Sequence, residues 1–245
     1  MTSASYADPS PYLEREFMRA DDFNKITDIH AQAPLTLDIL QTIAAIFQKH
    51  GAYNTHGLQL LHRHYDMPEK CVALTTTIND TISVTKITQL ADVKLDNVRG
   101  QLYMLNDHGK FQAYEYEYGP PIEFSNEFLE ELAGYIRDND LSDRVAIVAD
   151  GSETNFPSRE YNLGDAATVT VTGGPGQRES EAEMDIVGWR FERKEGADPS
   201  APLEFGDVAM SAQYYPHRKL ELPEEPVDLN EFVPKKLREE GYIDY

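Results

Sequence analysis

Apolar residues recur at helical spacing in two segments of the chain, residues 36–49 and residues 126–138. Their apolar stripes consist of Leu37, Leu40, Ile43, Ala44 and Phe47 in the first segment, and of Phe128, Leu129, Leu132 and Ile136 in the second. Gly51 follows the first segment as a helix stop, and Ser125 precedes the second as an N-cap. We therefore predict two main helices, and a short third one that begins at Pro11.

Alternation of apolar and polar residues predicts strands in nine further segments. These are residues 57–65, 71–78, 81–88, 99–106, 110–118, 143–149, 166–172, 184–192 and 207–215. Several connections between them have hairpin length, and alternating strand–helix units are absent, so neighbouring strands are expected to be antiparallel. The predicted fold is α+β: a mostly antiparallel, curved sheet of about nine strands, a roll or half-barrel, with the two main helices packed on it.

The chain is predicted to form a single α+β domain over residues 11–219. Residues 1–10 are small, polar and interrupted by proline, which predicts a disordered N-terminus. Residues 220–245 are acidic and rich in proline but keep apolar side chains, which predicts a strap across the domain or across a partner. Residues 150–165 are an alternative boundary between two lobes.

The strongly acidic composition limits the classes of partner that the protein is expected to bind. The net charge is −21, from 43 acidic and 22 basic residues. Such a field repels phosphate backbones and anionic membranes, so neither nucleic acid nor a membrane is an expected partner, whereas a basic protein surface is. Cys71 is the single cysteine, which excludes an intrachain disulfide and suits a reducing compartment. Without an apolar signal region at the N-terminus, the expected location is the cytoplasm.

His62 and His64 form the most suggestive pair of side chains. Residues two apart on a strand point to the same face, so the two imidazoles are expected side by side, at a spacing that can chelate a metal ion. Glu69 is the predicted third ligand, with Asp66 as the alternative, because two histidines and one carboxylate suit a divalent ion such as non-haem iron. In the absence of a metal, the same histidines are candidate catalytic bases, since their ordinary pKa is close to neutrality.

This stretch resembles the first motif of the cupin family, in which a glycine precedes His-x-His and a glutamate. Gly57, His62, His64 and Glu69 match that motif, with one residue fewer between Gly57 and His62. The second cupin motif is absent, and His108 is the nearest counterpart of its histidine. The resemblance implies a bound divalent metal, with ligands on adjacent antiparallel strands, in a metal-dependent enzyme.

Tyrosine and glutamate alternate over residues 114–118. The tyrosines are expected on one face, where they line a small-molecule pocket or stabilise the sheet through cross-strand aromatic pairs. The predicted ligand-binding residues are Tyr103, Tyr114, Tyr116, Tyr118 and His217. Glu115 and Glu117 lie on the opposite face, as a carboxylate pair for acid–base chemistry or as exposed strand residues.

The sequence is compatible with three functions. The first is a small-molecule pocket on the concave face of the sheet, lined by histidine and tyrosine, in an enzyme that uses histidine acid–base chemistry. The second is a cupin-like enzyme that depends on a divalent metal. The third is a non-catalytic, acidic interaction protein that forms a homodimer or holds a basic partner.

Overall fold

The computed structural model describes residues 10–28, 31, 34–149, 158–164, 167–172, 185–193, 208–215, 219–223 and 227–239. The helices in these ranges are α1 (Ala20–Phe23), α2 (Leu37–Lys49), α3 (Asn126–Asp138) and α4 (Leu229–Glu239). The strands there are β1 (Leu13–Glu14), β2 (His56–Leu60), β3 (Cys71–Asn79), β4 (Ile82–Gln89), β5 (Val98–Leu105), β6 (Phe111–Tyr118), β7 (Val145–Ala149), β8 (Ser158–Leu163), β9 (Ala167–Thr172), β10 (Asp185–Arg193), β11 (Val208–Tyr215) and β12 (Lys219–Leu220).

Both main helices predicted from the sequence are confirmed. The side chain of Thr36 accepts a hydrogen bond from the backbone of Ile39 at the start of α2, and Ser125 does the same for Phe128 at the start of α3. These caps satisfy backbone N–H groups that a helix leaves without an internal partner. Gly51 follows α2 with a φ of 67°, in the left-handed region that glycine adopts without strain.

The short helix predicted to begin at Pro11 is wrong. Residues 13 and 14 are extended and form β1, and the first helix begins only at Ala20. The reason lies in β6, where β3 pairs only with residues 115–117. The edge of β6 at Phe111 and Gln112 therefore accepts β1 as a parallel neighbour.

The predicted α+β fold with a mostly antiparallel, curved sheet is confirmed. Each of the nine predicted segments contains a strand, although the first ends already at Leu60, and β8 is an additional strand. The sheet order is β6-β3-β4-β9-β8-β11-β10-β2-β7-β5, and β5 also pairs with β6. The sheet therefore curls round on itself. Among the described strands, four pairings are parallel, and each of these joins only two or three residue pairs.

Helices cover the outer face of the curled sheet on two sides. Phe47 of α2 packs against Phe128 of α3 and Phe191 of β10, with ring centroids 4.9 and 5.1 Å apart. On another side, α4 buries Val233 and Leu237 in a cluster with side chains of β4, β8 and β9. No helix in the ranges given above combines the length and the apolar character that a membrane span needs. The predictions for residues 1–9 and 240–245 lie outside the described residues.

His56 is a buried titratable group under α3. Its ring lies 4.5 Å from that of Phe124 and 5.8 Å from that of Phe128, measured between centroids, and only 3% of the residue is exposed. Burial disfavours the charged imidazolium and lowers the pKa of His56 to about 4.

This shift predicts a loss of stability in mild acid. Unfolded His56 takes up a proton near pH 6.5, whereas the folded protein resists protonation until about pH 4. Above pH 6.5, His56 is neutral in both states and the free energy of unfolding keeps its full value. Between pH 6.5 and about pH 4, protonation of the unfolded chain lowers that free energy by about 1.4 kcal/mol per pH unit, about 3 kcal/mol in total. Urea unfolding of the wild type and of His56→Gln between pH 7 and pH 4 measures this effect. The wild type should lose more stability than the variant, and parallel losses would contradict the assignment.

Candidate metal centre

Two histidines and one glutamate meet inside the curled sheet. His62 and His64 follow the end of β2, and Glu160 lies on β8. The distance between the Nε2 atoms of the histidines is 3.1 Å, and Glu160 Oε2 lies 3.5 Å from His62 Nε2 and 3.4 Å from His64 Nε2. All three side chains are at least 93% buried, with exposed fractions of 2%, 3% and 7%.

Backbone hydrogen bonds hold the histidine segment extended beyond the end of β2. The N–H of Leu61 donates to the carbonyl oxygen of Arg144, and that of Arg63 donates to the carbonyl oxygen of Thr27. Extended backbone directs residues 62 and 64 to the same side. The segment therefore presents both imidazoles to β8 without being part of the sheet.

A hydrogen bond fixes the tautomer of His62. Its Nδ1 lies 2.6 Å from the carbonyl oxygen of Leu60. A carbonyl oxygen only accepts, so Nδ1 must carry the proton, and neutral His62 keeps its lone pair on Nε2. That lone pair points at His64 and Glu160. Histidine ligands of metal ions typically have their second nitrogen held in this way.

The three atoms form a triangle of the size that one metal ion requires. Its edges are 3.1, 3.4 and 3.5 Å. Tetrahedral ligands at bond lengths of about 2.0–2.1 Å lie about 3.3–3.4 Å from one another. A divalent ion can therefore bond to all three atoms with shifts of a few tenths of an ångström, and its remaining coordination positions stay open.

The pKa values of two buried carboxyl groups, Glu160 and Glu115, are shifted in opposite directions. Burial acts to raise the pKa of Glu160, but the positive charge of His64 and the proximity of His62 outweigh it and hold that pKa well below its usual range. Burial raises the pKa of Glu115 on β6 to about 8, and the charge of Glu160 adds to this effect. At neutral pH, Glu160 is therefore ionised and Glu115 is largely protonated.

His64 responds in the opposite sense to Glu160. Burial acts to lower its pKa, but the charge of Glu160 outweighs burial and the pKa is raised. Without a metal, the ionised carboxylate of Glu160 therefore favours the protonated form of His64. A divalent ion would displace that proton, which links metal binding to pH.

A cavity of about 300 Å³ inside the curled sheet has Glu160 in its wall, whereas His62 and His64 are not among its described lining residues. Glu160 and Glu115 both line it, together with Gln59 of β2 and Gln101 of β5. A metal ion on Glu160 would therefore lie at the wall of a space that can admit a small molecule.

The other predicted site residues are distributed differently. Glu69 is exposed and lies outside the three-residue group, where Glu160 takes the third place. Tyr118 lines the cavity. Tyr103 and Tyr116 pack in the core under α2 and α3, whereas Tyr114 packs in a separate apolar cluster with Leu61 and Tyr65. His217 lies outside the described residues.

An irregularity in the pairing of β5 with β6 separates the tyrosines. Leu102 pairs with Glu115 and Tyr103 with Ala113, so Tyr114 has no direct partner on β5. A bulge of this kind turns the extra residue away from the alternating pattern. Tyr114 and Tyr116 consequently belong to different clusters, although their spacing predicts a shared face.

Sequence reasoning missed Glu160 and gave Glu115 only an open role. Tyr161 and Leu163 of β8 are fully buried, and their alternation with Glu160 and Asn162 was the available signal for a strand whose other face is polar. For Glu115, the available signal of a functional role was the position of a charged residue within a strand rich in aromatic residues.

Comparisons of the chain with protein-family models, with curated proteins and with solved structures found no significant match. The description of this protein therefore rests on its structure alone. The structure is a curled, mostly antiparallel α+β sheet with a group of two histidines and one glutamate that could hold a metal ion. This group departs from the cupin-like expectation, because its carboxylate comes from β8 and not from position 69.

Proposed function

We propose that the protein is an enzyme that depends on a divalent metal ion, held by His62, His64 and Glu160, and that acts on a small molecule in the adjoining cavity. The observation that carries the proposal is the convergence of three buried ligand atoms within 3.5 Å of one another. The hydrogen bond from His62 to Leu60 supports it, because this bond leaves the ligating nitrogen unprotonated.

A purely structural role explains this arrangement less well. A buried ion pair loses much of its attraction to the cost of removing both charges from water, and apolar side chains of similar size often stabilise a fold as well or better. Buried charges beside a cavity, with strongly shifted pKa values, are instead typical of functional sites. Glu160 meets both conditions, and His64 is the buried group whose charge contributes to the shift.

The metal ion, its two histidine ligands and Glu115 would have different chemical roles. The ion would supply Lewis acidity at its open coordination positions. Since His62 and His64 would be ligands, neither would be free to act as a base. Glu115 is the carboxyl group placed to exchange a proton with a molecule in the cavity, because it lines that cavity and its burial raises its pKa towards neutrality.

Metal titration of the purified full-length chain tests the proposal. Metal-free wild type is expected to bind one equivalent of at least one of Fe²⁺, Mn²⁺, Zn²⁺ and Ni²⁺. His64→Ala should weaken that binding by more than about 100-fold, since it removes a direct ligand. His108→Ala is the matched control, because His108 is exposed in the turn between β5 and β6 and its loss should change nothing.

Two outcomes would overturn the proposal: a wild type that binds none of these ions, or equal binding by the wild type and His64→Ala. His64→Asn, which keeps a polar side chain of similar size, provides a second variant if His64→Ala does not fold. Circular dichroism of each variant separates the loss of a ligand from the loss of the fold.

A further inference from the structure

Hydroxyl groups dominate the wall of the cavity. Eight of the described lining residues are serine or threonine, and they come from β3, β4, β8, β9 and the turn between β3 and β4. Gln59 and Gln101 add amide groups, which both donate and accept hydrogen bonds. The wall also contains four carboxyl groups, those of Asp80, Glu115, Glu117 and Glu160, which accept hydrogen bonds from hydroxyl groups and disfavour an anion.

Three of these hydroxyls form a row that ends at Glu160. Thr77 pairs with Ser83, Ser83 with Thr170, and Thr170 with Glu160, across four neighbouring strands. Directly opposite residues in antiparallel pairs have Cβ atoms about 4.5–5.5 Å apart and share a face of the sheet. Exposure decreases along the row, from exposed Thr77 through half-buried Ser83 and Thr170 to buried Glu160. The row therefore leads from the mouth of the cavity to the candidate metal centre.

The cavity wall provides little attraction for an anionic group. Arg99 is the one lysine or arginine among the described lining residues. Its guanidinium already bonds to Glu117 at 2.7 and 2.9 Å and donates to the carbonyl oxygen of Pro120 at 2.8 Å. Recognition of a phosphate or carboxylate usually uses an available arginine or lysine, and all three nitrogens of the Arg99 guanidinium already have a partner, Glu117 or Pro120.

We infer that the cavity binds a neutral, polyhydroxylated molecule of monosaccharide size, a sugar or a sugar alcohol, whose hydroxyls replace water on the Thr77–Ser83–Thr170 row and reach the metal at Glu160. A volume of about 300 Å³ is at the lower end of the range for ligand pockets, which favours one sugar unit over a longer chain. Leu102, Val148 and Tyr118 also line the cavity and supply apolar contacts for the C–H face of such a molecule.

The inference rests on the proposed function for its metal contact, but the hydroxyl row belongs to the chain alone. The two can therefore be separated by experiment. Binding of glucose, mannose, arabinose and mannitol, and of the 6-phosphates of glucose and mannose, is measured by calorimetry or ligand-observed NMR with metal-free and metal-loaded full-length protein. Metal content is determined on the same samples.

At least one neutral compound is expected to bind, and more tightly than the phosphorylated hexoses. Thr170→Val, which removes a hydroxyl at nearly constant volume, should weaken that binding by about 3- to 10-fold, as expected for one hydrogen bond. Thr76→Val is the matched control, because Thr76 lies between Thr75 and Thr77 on β3 and does not line the cavity.

Each outcome has a distinct meaning. Protein that carries its metal but binds none of the neutral compounds would overturn the inference and leave the proposed function standing, and so would tighter binding of the phosphorylated hexoses. Equal effects of Thr170→Val and Thr76→Val would also overturn it. Neutral sugar binding by protein that takes up no metal would support the inference while contradicting the proposed function.

Discussion

Metal loading is expected to raise the midpoint of thermal unfolding by about 5–15 °C. A ligand that binds only the folded state adds about 2.7 kcal/mol of stability at a free concentration of 100 times its dissociation constant, and about 4.1 kcal/mol at 1,000 times. For a domain of this size, each kcal/mol moves the midpoint by about 2–4 °C. The gain is large here because His62, His64 and Glu160 come together only when β8 has joined the sheet.

Glu160→Gln is expected to abolish this gain while preserving the size and shape of the side chain. Glu69→Gln is the matched control, since Glu69 is exposed and lies outside the metal-binding group. Differential scanning calorimetry of the wild type and both variants, with and without the metal, gives the six midpoints required. An equal rise in Glu160→Gln and in the wild type would contradict the assignment of Glu160 as a ligand.

Phe47→Ala is expected to lower the free energy of unfolding by about 3–5 kcal/mol, as full truncation of a buried aromatic residue typically does. Phe47 is completely buried. Its ring makes edge-on contacts with Phe128 of α3 and Phe191 of β10, so one side chain joins two helices and the sheet. Removing it leaves a cavity at the point where these three elements meet.

Leu37→Ala on the same helix is the control for this prediction. Leu37 is 55% exposed, so its truncation should change stability by no more than about 0.5 kcal/mol. Urea unfolding at neutral pH measures both variants. A loss of less than about 1.5 kcal/mol in Phe47→Ala would contradict the packing of α2 on α3 and β10 described above.

The helices and most strands could be predicted because the information that specifies them is local. Helix α3 has the predicted bounds, since Ser125 caps it and its buried stripe repeats every three to four residues. The strands follow from alternation, which the curled sheet preserves because one face packs under helices while the other faces the cavity.

The third ligand could not be predicted from local patterns. Glu160 is 98 positions away from His62 along the chain, and only the pairing of β8 with β9 and β11 brings it to the histidines. Nothing in a single sequence encodes that register directly. Glu69 and Asp66 are the carboxylates close to the histidines in sequence, but both are exposed at the surface, and Glu69 lies in a turn.

The prediction that the tyrosines of β6 share one face was wrong for a related reason. A bulge adds one residue to a strand and reverses the alternation beyond it, and the sequence of β6 contains no glycine or proline to mark the position. The bulge follows from the pairing with β5, where Leu102 and Tyr103 have partners two residues apart. Alternation therefore predicted the strand correctly and the partners of Tyr114 incorrectly.

The most direct test of the metal centre is an anomalous difference map from crystals of metal-loaded protein, collected at the absorption edge of the bound ion. We expect one strong peak about 2.0–2.2 Å from His62 Nε2, His64 Nε2 and Glu160 Oε2. The peak should disappear in Glu160→Gln crystals treated in the same way. A peak bonded to other side chains, or no peak beside these three atoms in protein that has taken up metal, would contradict the account.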